Sequence, residues 1–145
     1  METIKLKIVT PDKIIYENDS VSQITIPTST GEITVLPNHI PLISIIQPGE
    51  LTIVQSDGTK HIAIIGGFIE MRDQNELYIL ADNAELAEEI DVDRAEQARK
   101  KAIEQMEQIK NKDDVDYARL QAVIDREMNR LKIGKKYKNL PKQRE

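Results

Sequence analysis

Residues 31–42 read Gly31-Glu32-Ile33-Thr34-Val35-Leu36-Pro37-Asn38-His39-Ile40-Pro41-Leu42, and the reading of this stretch decides how the chain begins. Ile33 and Val35 alternate as one face of a strand does, and Pro37 cannot donate to a central ladder, so the strand stops there. Asn38 tolerates a left-handed backbone, and Ile40 is pushed toward extended geometry by Pro41. The chain therefore turns hard and a second strand, Leu42 to Ile46, follows at once.

Outward from this stretch the same grammar fills residues 1–81. Ile4, Leu6 and Ile8 alternate with Lys5 and Lys7, Pro11-Asp12 marks a turn, and Ile14 to Tyr16 and Val21, Ile24 and Ile26 are further strand signals. Asp57-Gly58 is a hairpin dipeptide between Leu51–Val54 and Lys60–Ile65, and Leu77 to Ala81 closes the set. Gly66-Gly67 interrupts an apolar run and lacks the spacing of a phosphate loop, so it reads as a bulge or a close backbone approach. Eight to ten short strands at this spacing predict an antiparallel β-sandwich or flattened barrel.

At Asn83 the pattern changes. Asp91-Val92-Asp93 is an acidic helix start, and Ala95, Ala98, Ala102, Met106 and Ile109 form a narrow stripe at steps of three and four. Asn111 to Asp114 breaks it, and Tyr117, Leu120, Ile124, Met128 and Leu131 make a second stripe that Gly134 is expected to end. Two helices so joined predict an antiparallel hairpin, and the whole chain is an α+β, two-part molecule. The divisions are 1–84 sandwich, 85–134 hairpin and 135–145 a basic, disordered tail. Small side chains bury little area, at roughly 25 cal/mol per Å², so the hairpin is expected to be marginal and able to detach.

The 145 residues carry no cysteine, which excludes disulfides and thiol metal sites, and the two histidines, His39 and His61, far apart in sequence, are too few to suggest a histidine metal cluster. There is neither a run of apolar residues long enough to span a bilayer nor a signal-peptide core, so the chain is expected to stay where it is made. Residues 1–82 hold 5 Lys/Arg against 11 Asp/Glu, whereas residues 126–145 hold 8 against 2. That basic tip has two readings: cations complementing a helix dipole, or a docking patch for an acidic partner. No nucleic-acid signature accompanies it. Neither a Ser-His-Asp nor a Cys-His set is suggested, which argues against an enzyme.

The opening stretch resembles the Gly-Glu-Leu-Gly-Ile-Leu-Pro-Gly-His-x-Pro-Leu segment of the epsilon subunit of F-type ATP synthases, with Thr34 and Asn38 where glycine is common. Val9-Thr10-Pro11, Gly66-Gly67-Phe68-Ile69-Glu70, Leu80-Ala81, Ile90-Asp91-Val92-Asp93-Arg94-Ala95 and Met128-Asn129-Arg130-Leu131 extend the resemblance over essentially the whole chain. The resemblance implies a noncatalytic central-stalk subunit on the cytoplasmic face of the bacterial plasma membrane, touching the membrane only through the complex. Its implied partners are the gamma subunit, the c ring, and the beta and alpha subunits of the catalytic head; nucleic acid is not among them. The helices would brake ATP hydrolysis, with Arg119, Arg126, Arg130 and Lys132 meeting an acidic segment of the beta subunits. Glu32 and His39 would share a turn facing the c ring; a lone histidine between prolines also reads as a turn residue hydrogen-bonded to nearby backbone.

The same resemblance implies a regulatory nucleotide site. Ile90-Asp91-x-x-Arg94-Ala95 fits a motif that holds ATP in some bacterial members, with Asp91 toward the adenine amino group, Arg94 toward ribose or phosphate, and Glu85 contributing. Arg126 and Arg130 match arginines that face the phosphates, and Lys101 stands where an arginine can occur, losing the guanidinium fork. No cofactor is required in this reading; ATP would be a regulatory ligand, magnesium is left open, and a plain helix cap with surface charges is the competing reading of the same residues. A free-standing adaptor with a basic hairpin shares every composition argument.

Overall fold

The computed structural model describes residues 2–111 and 114–137. Nine strands come first: β1 Ile4–Val9, β2 Ile14–Thr28, β3 Gly31–Val35, β4 Leu42–Ile45, β5 Gly49–Gln55, β6 Gly58–Ile65, β7 Phe68–Arg72, β8 Glu76–Leu80 and β9 Asn83–Leu86. They pair in the order β4-β7-β8-β1-β2-β5-β6-β9, with β3 added on β2. Every pair is antiparallel except β1 with β8. The segments around Ile14 and Ile24, read as separate strands, are one 15-residue β2. Its first half pairs with β1 and its second with β3 and β5, and the register shifts at both ends of the Ile4–Val9 ladder and between Val21 and Gln23 let it bend from one sheet into the other. A bridge between Thr28 and Ile46 returns the end of β4 to β2, so the sandwich closes as a flattened barrel.

Its interior is aliphatic. Ile4, Leu6, Ile8, Ile24, Ile26, Leu51, Ile53, Ile62, Ile64, Ile69 and Leu77 are fully buried, so branched side chains fill the space that aromatics fill in many sandwiches. Gly67 explains the break in the apolar run: its φ is +100°, and a Cβ there would lie 1.9 Å from the Leu80 carbonyl oxygen. The Pro37 turn also forms as read, with Asn38 at φ +67°. Its backbone N–H donates to Asn75 Oδ1 at 2.5 Å, which ties it to the turn between β7 and β8.

The hairpin is a second unit that begins at Ala87. Helix α1 spans Val92–Glu107 and α2 spans Val115–Tyr137. Asp91 caps α1 by accepting the Arg94 N–H on Oδ1 at 3.0 Å, and Asp114 accepts from Asp116 N–H at 3.0 Å. Ala95 and Ala102 are buried on α1; Ala102 packs with Leu120 and Ile124 near the connection. At the other end Gly134 lies against Ile90 and Val92, so the helices run antiparallel.

Other sequence expectations change as well. The boundary at 84 moves to Leu86, because residues 83–86 form β9 on the edge of β6, with Ala84 buried and Leu86 packed on the core. Gly134 does not end α2: the helix runs on to Tyr137, and a Cβ at 134 would stand 2.9 Å from Ile90 Cγ2 and from Val92 Cγ2, so this glycine serves close packing. Lys135 to Tyr137 are therefore helical, and the remainder of the expected tail, 138–145, lies outside the described residues. Met128 is 51 % exposed and its place in the stripe belongs to Glu127.

Candidate functional site

The segment from Ile90 to Ala95 sits at the root of the hairpin. Ile90 and Ala95 are buried, which assigns them to packing, while Asp91 and Arg94 are exposed. One Asp91 oxygen is engaged as the helix cap. Lys101 is exposed further along α1. Glu85 is half-buried on β9, in the other unit.

On α2, Arg119 lies 3.6 Å from Asp116 and Lys132 is exposed. Arg126 and Arg130 converge on one carboxylate. Arg126 Nε donates to Glu127 Oε1 at 3.2 Å, and Arg130 Nη1 donates to Glu127 Oε2 at 2.9 Å. Glu127 itself is 2 % exposed. On α1, Arg99 Nη2 donates to Glu96 Oε1 at 2.7 Å, and this bond, aided by the charges of Lys100 and Lys135, holds the Glu96 carboxyl below its ordinary range. The Nε of Arg99 is buried with no hydrogen-bond partner among the described residues. Sequence reading missed Glu127 and Arg99 because a charged letter carries no sign of burial.

The sandwich presents a different feature. Ile14 pairs with Val9, Val9 with Leu80, Leu80 with Phe68, and Phe68 with Ile45, so one row of apolar side chains crosses five strands. Cross-strand partners share a face, and this is the outer one: Ile8, Ile79 and Ile69, the neighbours along the strands, are fully buried. Ile45 is 64 % exposed and Phe68 44 %, with Ile14 and Leu80 between these extremes or close to them. Beside the row stand Ile43, Glu70 and Tyr78, followed by Arg72, whose guanidinium lies 4.1 Å above the Tyr78 ring and donates to Glu70 Oε2 at 3.1 Å. That bond holds the Glu70 carboxyl below its ordinary range.

Glu32 and His39, expected in one turn, are separated. Glu32 pairs with Pro27 beside the Thr28–Ile46 bridge, where β4 ends; His39 precedes Leu42, where β4 begins. The strand they flank keeps them at opposite ends of the sandwich. His39 Nδ1 lies 2.7 Å from the Ile40 carbonyl oxygen, a bond local to its turn. His61 meets Glu50 on the neighbouring strand at 2.9 Å and is structural. Among the described residues there is no group of three metal-ligating side chains and no helix long and apolar enough to cross a membrane.

Two family models match this chain: the ATP synthase delta/epsilon chain beta-sandwich domain over residues 3–87, and the long alpha-helix domain of the same chains over residues 88–135. A protein named ATP synthase epsilon chain from Nitratidesulfovibrio vulgaris is 40 % identical over 132 residues, covering 91 % of this chain and 96 % of that one. One of the same name from Staphylococcus haemolyticus is 37 % identical over 134 residues, covering 92 % and 98 %. Among solved structures, a chain of the Euglena gracilis mitochondrial ATP synthase, resolved with OSCP, F1 and the c-ring, superposes with a TM-score of 0.72 at 25 % identity, covering 89 % of this chain and 79 % of that one. A chain from the Tetrahymena thermophila mitochondrial ATP synthase central stalk and c-ring shares the fold, with a TM-score of 0.60 at 17 % identity over 94 % and 98 % of the two chains.

Proposed function

The chain belongs to the ATP synthase delta/epsilon family, among its epsilon chains, and from that premise we propose that it is a noncatalytic central-stalk subunit that couples the catalytic head to the c ring and restrains ATP hydrolysis. The observation that carries the coupling is the outward apolar row on the sandwich. Fully burying an Ile, Leu or Phe side chain contributes about 1.5–3 kcal/mol; Ile14, Leu80, Phe68 and Ile45 are about half exposed, so covering each contributes roughly half of that, and the four together favour seating a rotor partner. That partner is the gamma subunit. Aspartates at Ile45 and Phe68 leave the core untouched and are expected to abolish co-isolation with gamma and the catalytic head; undiminished co-isolation would remove the assignment. The c ring meets the Glu32 end of the sandwich, and His39 is a turn residue.

The hairpin is the brake. Its α2 carries Arg119, Arg126, Arg130 and Lys132 toward the acidic beta subunits when it leaves its closed form, and the thin alanine seam makes leaving inexpensive. A second reading is favoured by the seat of Gly134 on Ile90 and Val92, which puts α2 directly against the Asp91–Arg94 segment. There the closed hairpin binds ATP, with Asp91 on the adenine amino group and Arg94, Arg126 and Arg130 toward ribose and phosphates, so that nucleotide draws the population away from the inhibitory form. The working place of the chain is the cytoplasmic face of the plasma membrane, reached through the complex.

A further inference from the structure

Glu127 occupies a position that its helix otherwise reserves for packing. Leu120, Ile124, Glu127, Leu131 and Gly134 follow one another at alternating steps of four and three, and all five are buried. Such a repeat is the seam of an antiparallel helix pair, where each member is ordinarily apolar or small. A carboxylate withdrawn from water there must be paired. Its pairing comes from its own helix: Arg126 Nε reaches Oε1 at 3.2 Å and Arg130 Nη1 reaches Oε2 at 2.9 Å.

Those guanidinium groups are the ones assigned above to the phosphates. A carboxylate and a phosphate ask the same of a guanidinium, two acceptor oxygens in the plane of its N–H fork. A phosphate arriving at Arg126 and Arg130 either takes these donors from Glu127, leaving a buried carboxylate short of partners, or uses the guanidinium N–H groups left over, with the like charge of Glu127 close by. Both routes weaken binding. We propose that Glu127 sets the nucleotide affinity of this hairpin, acting as a resident anion that competes with phosphate oxygens for Arg126 and Arg130. The proposal rests on the nucleotide reading of the same hairpin.

The test is a calorimetric titration of the full chain and of Glu127→Gln with ATP and, separately, with inorganic triphosphate. Glutamine keeps the length and one acceptor oxygen while removing the charge. A helical circular dichroism signal confirms the fold, and Glu127→Met replaces it if the glutamine variant melts. The expected result is affinity raised about tenfold or more for both anions, a change that corresponds to one charge-assisted contact. Equal or weaker affinity of the variant for ATP, with the unaltered chain binding, overturns the role of Glu127 and leaves the nucleotide reading standing. Tighter triphosphate with no preference for ATP supports Glu127 as competitor and sinks the nucleotide reading. No binding of either anion by either chain overturns both.

Discussion

Replacing Gly134 by alanine separates two effects that usually travel together. The new methyl carbon would stand 2.9 Å from Ile90 Cγ2, 2.9 Å from Val92 Cγ2 and 3.4 Å from Ile90 Cβ. Carbon atoms in contact prefer about 3.5–4.0 Å, so α2 must move off the root of α1, at about 1–3 kcal/mol for an overpacked site. Alanine also favours helix over glycine by about 1 kcal/mol. That gain is present whether the hairpin is closed or open, provided α2 stays helical, and cancels from the equilibrium between them. Opening should then become easier by about 2 kcal/mol, roughly 30-fold, while the thermal midpoint of the hairpin falls by much less because the helix gain offsets part of the strain. Amide hydrogen exchange around Ala95 and Ala102 in the full chain reads the opening, because α1, a short helix, frays once it loses its packing on α2. Exchange that is unchanged or slower in Gly134→Ala would refute the argument that this glycine is a packing device.

Gly67→Ala places a methyl 1.9 Å from the Leu80 carbonyl oxygen and 2.8 Å from Ala81 Cα at a φ of +100°; backbone cannot yield as a side-chain tip can, and a loss of about 3 kcal/mol or more is expected by thermal or denaturant unfolding. A chain ending at Glu89 keeps β9 and is expected to melt like the intact sandwich, whereas one ending at Ala84 loses the Ile62–Leu86 and Ala63–Glu85 pairs and should melt several degrees lower. Burial pushes the Tyr16 phenol above its ordinary value, with the Asp57 charge adding to it and the side-chain hydrogen bonds it makes with Asn18 and Gln55 opposing. Its folded pKa is raised, so its contribution is complete below the unfolded value of 10.0 and is lost as pH climbs through the folded value; Tyr16→Phe should lack that alkaline decline in a chemical-denaturation series.

Strand and helix grammar was legible because it is local. Period-two alternation located the early strands, and Asp91 announced α1 by the same carboxylate that now caps it. What escaped depends on partners distant in sequence. Asn83-Ala84-Glu85-Leu86 holds no β-branched residue, and only the free edge of β6 makes it a strand. Met128 looked like the next seam residue because it is apolar, but a seam with a mean step near three and a half puts position 127 inside, whatever residue stands there. Gly134 carries the letter of a helix stop and the duty of a close contact. The apolar row is invisible in one dimension, since Ile14, Val9, Leu80, Phe68 and Ile45 meet only through strand pairing. Glu32 and His39 are near in sequence yet lie at opposite ends of β3, so a shared functional turn could not survive the fold.

The most direct test of a mobile brake is a titration of ATP hydrolysis by the synthase lacking this chain, using the full chain and the form ending at Glu89. The expected result is that both bind the stalk with similar affinity and that only the full chain lowers hydrolysis. Equal inhibition by the two forms would contradict a role for the helices in restraint.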